Sequence, residues 1–361
     1  MAARTLPSAN SHKSSQQPRE VLLANPRGFC AGVQRAIDAV ERALDQYGAP
    51  VYVRRAIVHN QVVVRRLERL GAIFVQDVAE IPPGAITILS AHGSARSVKL
   101  AAQSRNLRVV DAICPLVAKV HAEIDNWYRA GRHVLLIGHL GHPEIVGTLG
   151  QVPAGAVSVV SKPEDLDALD LPPNMALAYA VQTTFSQRDA AAMIEAIKAR
   201  FPDVAGPRSS DICYATTNRQ NAIEAIARKC DLVLVAGDPM SSNARRLVEV
   251  ASAAGCPDAR LIAAAAELPL AAVLNARRIG LTAAASTPAD VVDAICDALA
   301  ELGCTISETE GAVEDVRFRA VALAGLGGEE GAGSLEDRLV RLRKDIDAEL
   351  DRAIGHGRGR D

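Results

Sequence analysis

Cys30 has the sequence surroundings of a reactive or metal-binding thiol. It follows an apolar run and a Gly-containing turn, and apolar residues recur after it at helical spacing, at Val33, Ile37, Val40 and Leu44. A thiol at the start of a helix lies at the positive end of the helix dipole, which favours the thiolate. Such a thiolate suits metal ligation or nucleophilic attack; the alternative is a small buried residue in a tight turn.

The unit that begins at Cys30 recurs at Cys114 and Cys213. Each cysteine precedes a predicted helix, a predicted strand and, about 28 residues downstream, a polar loop. A second strand in each unit ends in another polar loop. The first loops are His59-Asn60, His142-Pro143-Glu144 and Ser241-Ser242-Asn243, and the second loops contain His92, Thr183 and Ser286. Because unrelated segments seldom keep such an interval three times, we interpret the chain as an internal triplication.

Alternating strands and helices predict an α/β fold with mostly parallel sheets, whose ligands collect at the carboxyl ends of the strands. We expect three similar α/β domains in a pseudo-threefold trefoil around a central cavity. Short extended segments, 108–113 and 209–212, are expected to lead into the second and third cysteines. The predicted division is a disordered leader at 1–18, domains at 19–114, 115–213 and 214–321, the last with a return segment, and a linker with a charged C-terminal helix at 322–361.

Composition limits the classes of partner. The chain has 40 Lys and Arg against 42 Asp and Glu, without blocks of one sign, so neither nucleic acid nor a membrane surface is expected as a partner. No run approaches the roughly 18 apolar residues of a membrane span, and the N-terminus lacks an apolar signal core, which predicts a cytoplasmic protein. The seven cysteines are scattered and odd in number, which argues against a disulfide framework.

Three thiolates from three domains would make a metal site with one coordination position open, which is typical of a catalytic site. An iron-sulfur cubane usually takes four cysteines, so three would leave one iron without a protein thiolate. Zinc is the competing interpretation. Structural zinc sites usually draw ligands from close sequence pairs, whereas these cysteines are widely separated, so zinc is less favoured.

The polar loops are rich in His, Ser, Thr and Asn and poor in Lys and Arg. Such side chains can donate several hydrogen bonds to a diphosphate or a carboxylate. Glu144 is the candidate proton donor or acceptor, and burial would raise its pKa into a useful range.

At these residues the chain resembles the 4-hydroxy-3-methylbut-2-enyl diphosphate reductase family, over about Val21 to Phe318. The motifs that carry the resemblance are Asn25-Pro26-Arg27-Gly28-Phe29-Cys30-Ala31-Gly32-Val33, Val58-His59-Asn60, Ser90-Ala91-His92-Gly93, Ile113-Cys114-Pro115-Leu116-Val117, Gly141-His142-Pro143-Glu144, Gln182-Thr183-Thr184 and Ser241-Ser242-Asn243. Several motifs in fixed order make the resemblance specific.

The resemblance implies one 4Fe-4S cluster bound by Cys30, Cys114 and Cys213. It implies reductive dehydroxylation of an allylic diphosphate to isopentenyl and dimethylallyl diphosphates, the last step of the methylerythritol phosphate route, with electrons from ferredoxin or flavodoxin. Glu144, Thr183 and His142 would be catalytic. The substrate-binding residues would be His59, His92, His142, Thr183, Ser241, Ser242, Asn243 and Ser286. The alternative is a non-catalytic iron-sulfur sensor or binding module of the same fold.

Two positions depart from the family pattern. Ala284 stands where the family usually has glycine, and it could crowd a loop that needs glycine's conformational freedom. Ala244 stands where the family usually has serine, which would remove one hydroxyl group. Neither position is an expected ligand, so we expect activity to survive.

Overall fold

The computed structural model describes residues 19–172 and 174–323. The predicted leader and C-terminal helix lie outside these residues. Within them, strands and helices alternate, and the strands form three sheets of five, four and three strands, in which neighbouring strands run parallel. The prediction of an α/β fold with parallel sheets is therefore confirmed.

The chain begins with β1 (Arg19–Leu23) and then forms the first unit, whose sheet has the strand order β3-β2-β4-β5. The elements of this unit are α1 (Ala31–Tyr47), β2 (Val51–Arg54), α2 (Gln61–Arg69), β3 (Ala72–Val75), β4 (Ile86–Leu89), α3 (Arg96–Ser104) and β5 (Arg108–Asp111). The predicted stripe on α1 is its buried face, since Ile37, Val40 and Leu44 all lie in the core. β2 ends at Arg54 because Arg55 has a φ of 59°, in the left-handed region that ends a strand.

The second unit has the strand order β7-β6-β8. Its elements are α4 (Pro115–Arg129), β6 (His133–Ile137), α5 (Pro143–Leu149), β7 (Val157–Val160), β8 (Leu177–Val181) and α6 (Gln187–Arg200). The extended segment predicted at 209–212 does not pair as a strand; a single bridge joins Ala178 and Ala205 instead. The carboxylate of Asp211 accepts a hydrogen bond from Val181 N–H at 2.9 Å, so a side chain takes the place of a strand carbonyl there.

The third unit is completed by the first strand of the chain. Its elements are α7 (Tyr214–Ala227), β9 (Leu232–Ala236), α8 (Ser242–Ala253), β10 (Ala259–Ile262), α9 (Leu270–Asn275), β11 (Arg278–Ala283), α10 (Ala289–Glu301) and β12 (Cys304–Glu308). The strand order is β10-β9-β11-β1-β12, so β1 lies between two strands from the end of the chain. The predicted division assigns β1 to the domain at 19–114, and its pairing instead puts it in the third sheet. The boundaries at 114 and 213 stay predictions.

A segment that follows β12 crosses back to the first unit. We call residues 309–323 the C-terminal strap. On α1, Arg42 donates to the carbonyl of Val321 at 3.0 Å and Tyr47 donates to the carbonyl of Leu323 at 2.8 Å. The strap therefore connects the third sheet to the helix that begins after Cys30.

None of the helices within 19–172 and 174–323 is long and apolar enough to cross a membrane.

Candidate active site

The three repeated cysteines occupy the same local position, the N-cap of a helix. Cys30, Cys114 and Cys213 have extended backbones and precede α1, α4 and α7. The Cys30 sulfur accepts from Val33 N–H at 3.5 Å, and the Cys213 sulfur accepts from Thr216 N–H at 3.4 Å. Free backbone N–H groups at the first turn of a helix are the reason why an acceptor is favoured there.

Burial nevertheless opposes the thiolate. It raises the pKa of Cys114 to about 12 and that of Cys213 to about 11, and the neighbouring cysteines add to both shifts. The backbone N–H groups near Leu116 and Thr216 act in the opposite direction but do not overcome it. At these two residues burial therefore outweighs the effect of the helix start. A positively charged metal centre would restore the balance.

The three thiols face a common cavity of about 110 Å³. A Cβ atom on Gly32 would lie 2.7 Å from the Cys114 sulfur and 3.9 Å from the Cys30 sulfur, so glycine keeps the space between these two thiols open. No group of three His, Cys, Asp or Glu side chains in the described part of the chain could hold a single metal ion. Three soft sulfur donors spread around an open space fit a multi-atom iron-sulfur cluster better than one zinc ion.

Three histidines form one wall of the cavity. His59 follows β2, His92 follows β4 and His142 follows β6, so each lies at the carboxyl end of a parallel strand. The ring centroids of His59 and His92 are 4.2 Å apart, and that of His142 is 5.8 Å from His59 and 6.1 Å from His92.

The surroundings of these histidines disfavour the charged imidazolium form. Burial lowers the pKa of all three, with a further contribution from neighbouring histidines for His92 and His142, and the pKa of His142 falls to about 3. His142 Nδ1 accepts from Glu144 N–H at 3.2 Å, so its Nε2 carries the ring proton. His59 Nε2 is buried and has no hydrogen-bond partner.

The third unit contributes further polar residues to the lining of the cavity. Ser241 caps α8 by accepting from Ala244 N–H at 3.2 Å. Asn243 Oδ1 accepts from Ala285 N–H at 3.0 Å, whereas Asn243 Nδ2 is buried without a partner. Ser286 donates to the carbonyl of His59 at 3.0 Å. Buried polar atoms are rarely left unpaired, so the free nitrogens of His59 and Asn243 indicate a place for an acceptor-rich ligand.

Glu144 is held by Thr183. Its Oε1 accepts from Thr183 N–H at 2.7 Å, and its Oε2 lies 2.7 Å from the Thr183 hydroxyl. Burial raises the pKa of Glu144 to about 7, although both hydrogen bonds from Thr183 favour the carboxylate. The carboxyl group can therefore hold or release a proton near neutral pH.

Every site residue predicted from the sequence lines this one cavity. Sequence reasoning missed the apolar part of the lining, Thr184 and the hydroxyl of Thr216, which is 3.2 Å from the Cys213 sulfur. The apolar lining residues are Val33, Val58, Ala91, Leu116, Val117 and Ala285. Val33 and Leu116 belong to helical stripes that are typical of core residues. Their position within one turn of a candidate ligand was the signal that could have found them.

The two alanines that depart from the family pattern lie outside the lining of the cavity. Among the described residues that carry a side chain, only Arg55 and Asn106 have a positive φ, so Ala284 does not need glycine's freedom. Ala244 and Ala284 are buried, and both pack near Gly237, where an added Cβ atom would lie 2.7 Å and 3.2 Å from their Cβ atoms. Neither alanine lines the cavity, so Ala244 removes no hydroxyl from it.

Comparisons with known proteins agree on one family. The family model described as LytB protein matches residues 21–300. A 4-hydroxy-3-methylbut-2-enyl diphosphate reductase from Xanthomonas axonopodis pv. citri (strain 306) is 50% identical over 304 residues, 83% of this chain and 96% of the relative.

Two solved structures are also similar. The E-1-hydroxy-2-methyl-but-2-enyl-4-diphosphate reductase from Plasmodium falciparum has a TM-score of 0.80 and 36% identity, and the match covers 91% of this chain and 99% of that one. A structure of (E)-4-hydroxy-3-methyl-but-2-enyl diphosphate reductase, described as the terminal enzyme of the non-mevalonate pathway, has a TM-score of 0.57 and 31% identity, covering 78% of this chain and 99% of that one.

Proposed function

The chain belongs to the LytB protein family, and we propose that it is an oxidoreductase that converts (E)-4-hydroxy-3-methylbut-2-enyl diphosphate to isopentenyl diphosphate and dimethylallyl diphosphate. The reaction takes up two electrons and two protons, breaks the allylic C–O bond and releases water. It is the last step of the non-mevalonate route to isoprenoids. The similar proteins named above carry this activity in their names.

One observation carries the proposal. Three cysteine thiols, two unpartnered buried nitrogens and a buried carboxyl group beside a hydroxyl all line one cavity. These are the parts that a reductive dehydroxylation of a diphosphate needs: a place for an electron carrier, donors for the anion and a proton source.

The family is one of iron-sulfur enzymes, and we assign one 4Fe-4S cluster to Cys30, Cys114 and Cys213. The electron chemistry would come from this cluster, recharged by ferredoxin or flavodoxin. The sulfur donors and the open space at Gly32 support this assignment.

The diphosphate would be held by donors rather than by a surplus of positive charge. His59 Nε2 and Asn243 Nδ2 would each donate to its oxygens and so gain the partners that they lack. The donor set would be completed by other residues that line the same cavity: His92, His142, Ser241, Ser242 and Ser286. The apolar lining would pack against the hydrocarbon chain and exclude water.

The proton would pass from Glu144 through Thr183. Because Thr183 N–H donates to Oε1, the carboxyl proton belongs on Oε2, where it can donate to the Thr183 hydroxyl. The hydroxyl hydrogen of Thr183 is then free to point into the cavity and protonate the departing oxygen. A non-catalytic sensor would not need this relay, so the pair favours an enzyme over a binding module.

The test is anaerobic turnover. Protein loaded with iron and sulfide is mixed with (E)-4-hydroxy-3-methylbut-2-enyl diphosphate and a reduced low-potential dye, and both products are measured by chromatography. We expect dye oxidation and both diphosphates from the unmodified chain and from Cys296→Ser, and neither from Cys114→Ser. Substrate that binds without being consumed would support the sensor instead, and stoichiometric zinc without acid-labile sulfide would remove the cluster from the proposal.

A further inference from the structure

Basic side chains connect the three units in a cycle. Each helix that begins after a repeated cysteine carries one basic residue in its second turn: Arg35 on α1, Lys119 on α4 and Arg219 on α7. The side chains do not point to their own cysteine. Each one donates to the backbone just before the cysteine of another unit.

The first two connections run forward along the chain. Arg35 Nη1 donates to the carbonyl of Ile113, the residue directly before Cys114, at 2.8 Å. Lys119 Nζ donates to the carbonyls of Ser209 at 3.0 Å and Ser210 at 3.3 Å, shortly before Cys213. Lys119 also lies 2.8 Å from a carboxylate oxygen of Asp211, whose side chain is fully buried.

The third connection closes the cycle back to the start. Arg219 is fully buried, and its Nε and Nη2 donate to the carbonyl of Gly28 at 3.1 Å and 2.7 Å. Gly28 has a φ of 69°, which a side chain would disfavour, and it lies two residues before Cys30. Tyr214, also on α7, accepts from Ala31 N–H at 3.0 Å, so α7 holds the backbone on both sides of Cys30.

The C-terminal strap supports two of these residues. Glu314 accepts from Arg219 Nη1 at 2.9 Å and supplies the negative charge that a buried guanidinium needs. The carbonyl of Arg319 accepts from Arg35 Nε at 2.8 Å. Because the strap begins after the last strand of the third sheet, it reinforces the cycle from outside the repeated units.

We propose that Arg35, Lys119 and Arg219 form a cyclic clamp, in which each unit's helix fixes the backbone in front of the next unit's cysteine and thereby sets the spacing of the three thiols. They are positioning residues, since none of them lines the cavity. That the thiols hold an iron-sulfur cluster at this spacing rests on the proposed function; the clamp itself rests only on the contacts above.

The clamp predicts that each variant affects the cysteine of the next unit in the cycle and not the cysteine of its own unit. The variants are studied in the full-length chain without cluster. Arg35→Met should speed alkylation of Cys114, and Lys119→Met should speed alkylation of Cys213. Glu314→Gln, which weakens the interaction that supports Arg219, should speed alkylation of Cys30. Alkylation rates at each cysteine are read by peptide mass spectrometry. We expect an increase of about fivefold or more at the named cysteine, since each variant loses or weakens at least one hydrogen bond.

Arg42→Met is the matched control, because Arg42 also lies on α1 and also binds a backbone carbonyl, but that of Val321 in the strap. It should leave all three rates unchanged. Three results would overturn the clamp. The first is a rise of all three alkylation rates together in each variant, which general loosening of the fold would cause. The others are unchanged alkylation rates and an increase at a different cysteine.

A second measurement connects the clamp to the cluster. In the loaded protein, iron release to a chelator should be several-fold faster in the three clamp variants than in Arg42→Met. If the unmodified chain takes up no cluster, the proposed function fails while the alkylation pattern still decides the clamp. Equal release from the clamp variants and the control would show that the clamp does not act on the cluster.

Discussion

The carboxyl group of Glu144 and the hydroxyl of Thr183 lie 2.7 Å apart, and Thr183 N–H also donates to the other carboxyl oxygen at 2.7 Å. The two residues come from different strand ends, α5 following β6 and the loop following β8. The backbone hydrogen bond orients the carboxyl group, so that one oxygen remains to exchange a proton with the hydroxyl.

Removing the hydroxyl of Thr183 should slow turnover without emptying the cluster site. Thr183→Val keeps the shape and the backbone N–H but breaks the relay, and we expect turnover to fall about 100-fold or more, the usual contribution of a positioned acid. Thr183→Ser, which keeps a hydroxyl, is the matched control and should retain most of the activity. Turnover of Thr183→Val within a few-fold of the unmodified chain would exclude the relay.

Turnover should depend on the protonation of Glu144. Because burial raises its pKa to about 7, the acid form predominates below that pH and is lost above it. We therefore expect the rate to fall as the pH rises through about 7, with the cluster content constant. Glu144→Gln should turn over slowly at every pH, and its rate should not fall as the pH rises through about 7. If the variant kept the same pH dependence, the dependence would belong to another group.

The same carboxyl group should make stability depend on pH. Its pKa of about 7 in the folded chain lies above the ordinary value of 4.5, so the folded state binds more protons between these values and its stability falls as the pH rises. Glu144→Gln should therefore gain up to about 3 kcal/mol relative to the unmodified chain between pH 4.5 and 7. Denaturant unfolding of the cluster-free chain at pH 5 and pH 8 measures this, and a constant difference would contradict it.

Replacing the unpartnered side-chain nitrogen of Asn243 should weaken the binding of an anion in the cavity. Asn243→Asp keeps the oxygen that accepts from Ala285 N–H but replaces the unpartnered donor with a negatively charged acceptor. We expect the affinity for inorganic diphosphate to fall at least tenfold, as for the loss of a hydrogen bond to a charged group. Asn221→Asp, which adds the same charge on the exposed surface of α7, is the control and should bind as the unmodified chain does.

Substitution of Gly32 by alanine should lower cluster binding without lowering the stability of the cluster-free chain. Alanine is the better helix former by about 1 kcal/mol, so Gly32→Ala should not destabilise the cluster-free chain. Its new Cβ would lie 2.7 Å from the Cys114 sulfur, which must rotate away. We expect iron and sulfide content to fall sharply while thermal unfolding of the cluster-free chain is preserved; a full complement of iron would show that the space at Gly32 is not needed.

Much of the site could be predicted from local patterns. Helical periodicity after Cys30, Cys114 and Cys213, together with the regular interval to a polar loop, identified residues that the structure brings to one cavity. Such patterns can be recognised in a sequence because a helix start and a strand end are set by residues close together in the chain. The family motifs added the expected roles, which local patterns alone left open.

Other features depended on contacts between distant parts of the chain. Val21 of β1 is paired with Ile279 and Ile306, and nothing in a five-residue strand specifies partners so far away. The raised pKa of Cys114 and Cys213 likewise follows from burial in the folded chain, with a contribution from cysteines distant in sequence.

The sequence by itself therefore determined the repeated unit, the α/β class and the candidate side chains, because each is encoded over a few neighbouring residues. Only the tertiary structure decided which sheet β1 completes, in which direction burial shifts the pKa of Cys114 and Cys213, and which carbonyl accepts from Arg219. Hydrogen bonds to backbone carbonyls depend on geometry and not on the identity of the accepting residue, so they leave no pattern in the sequence.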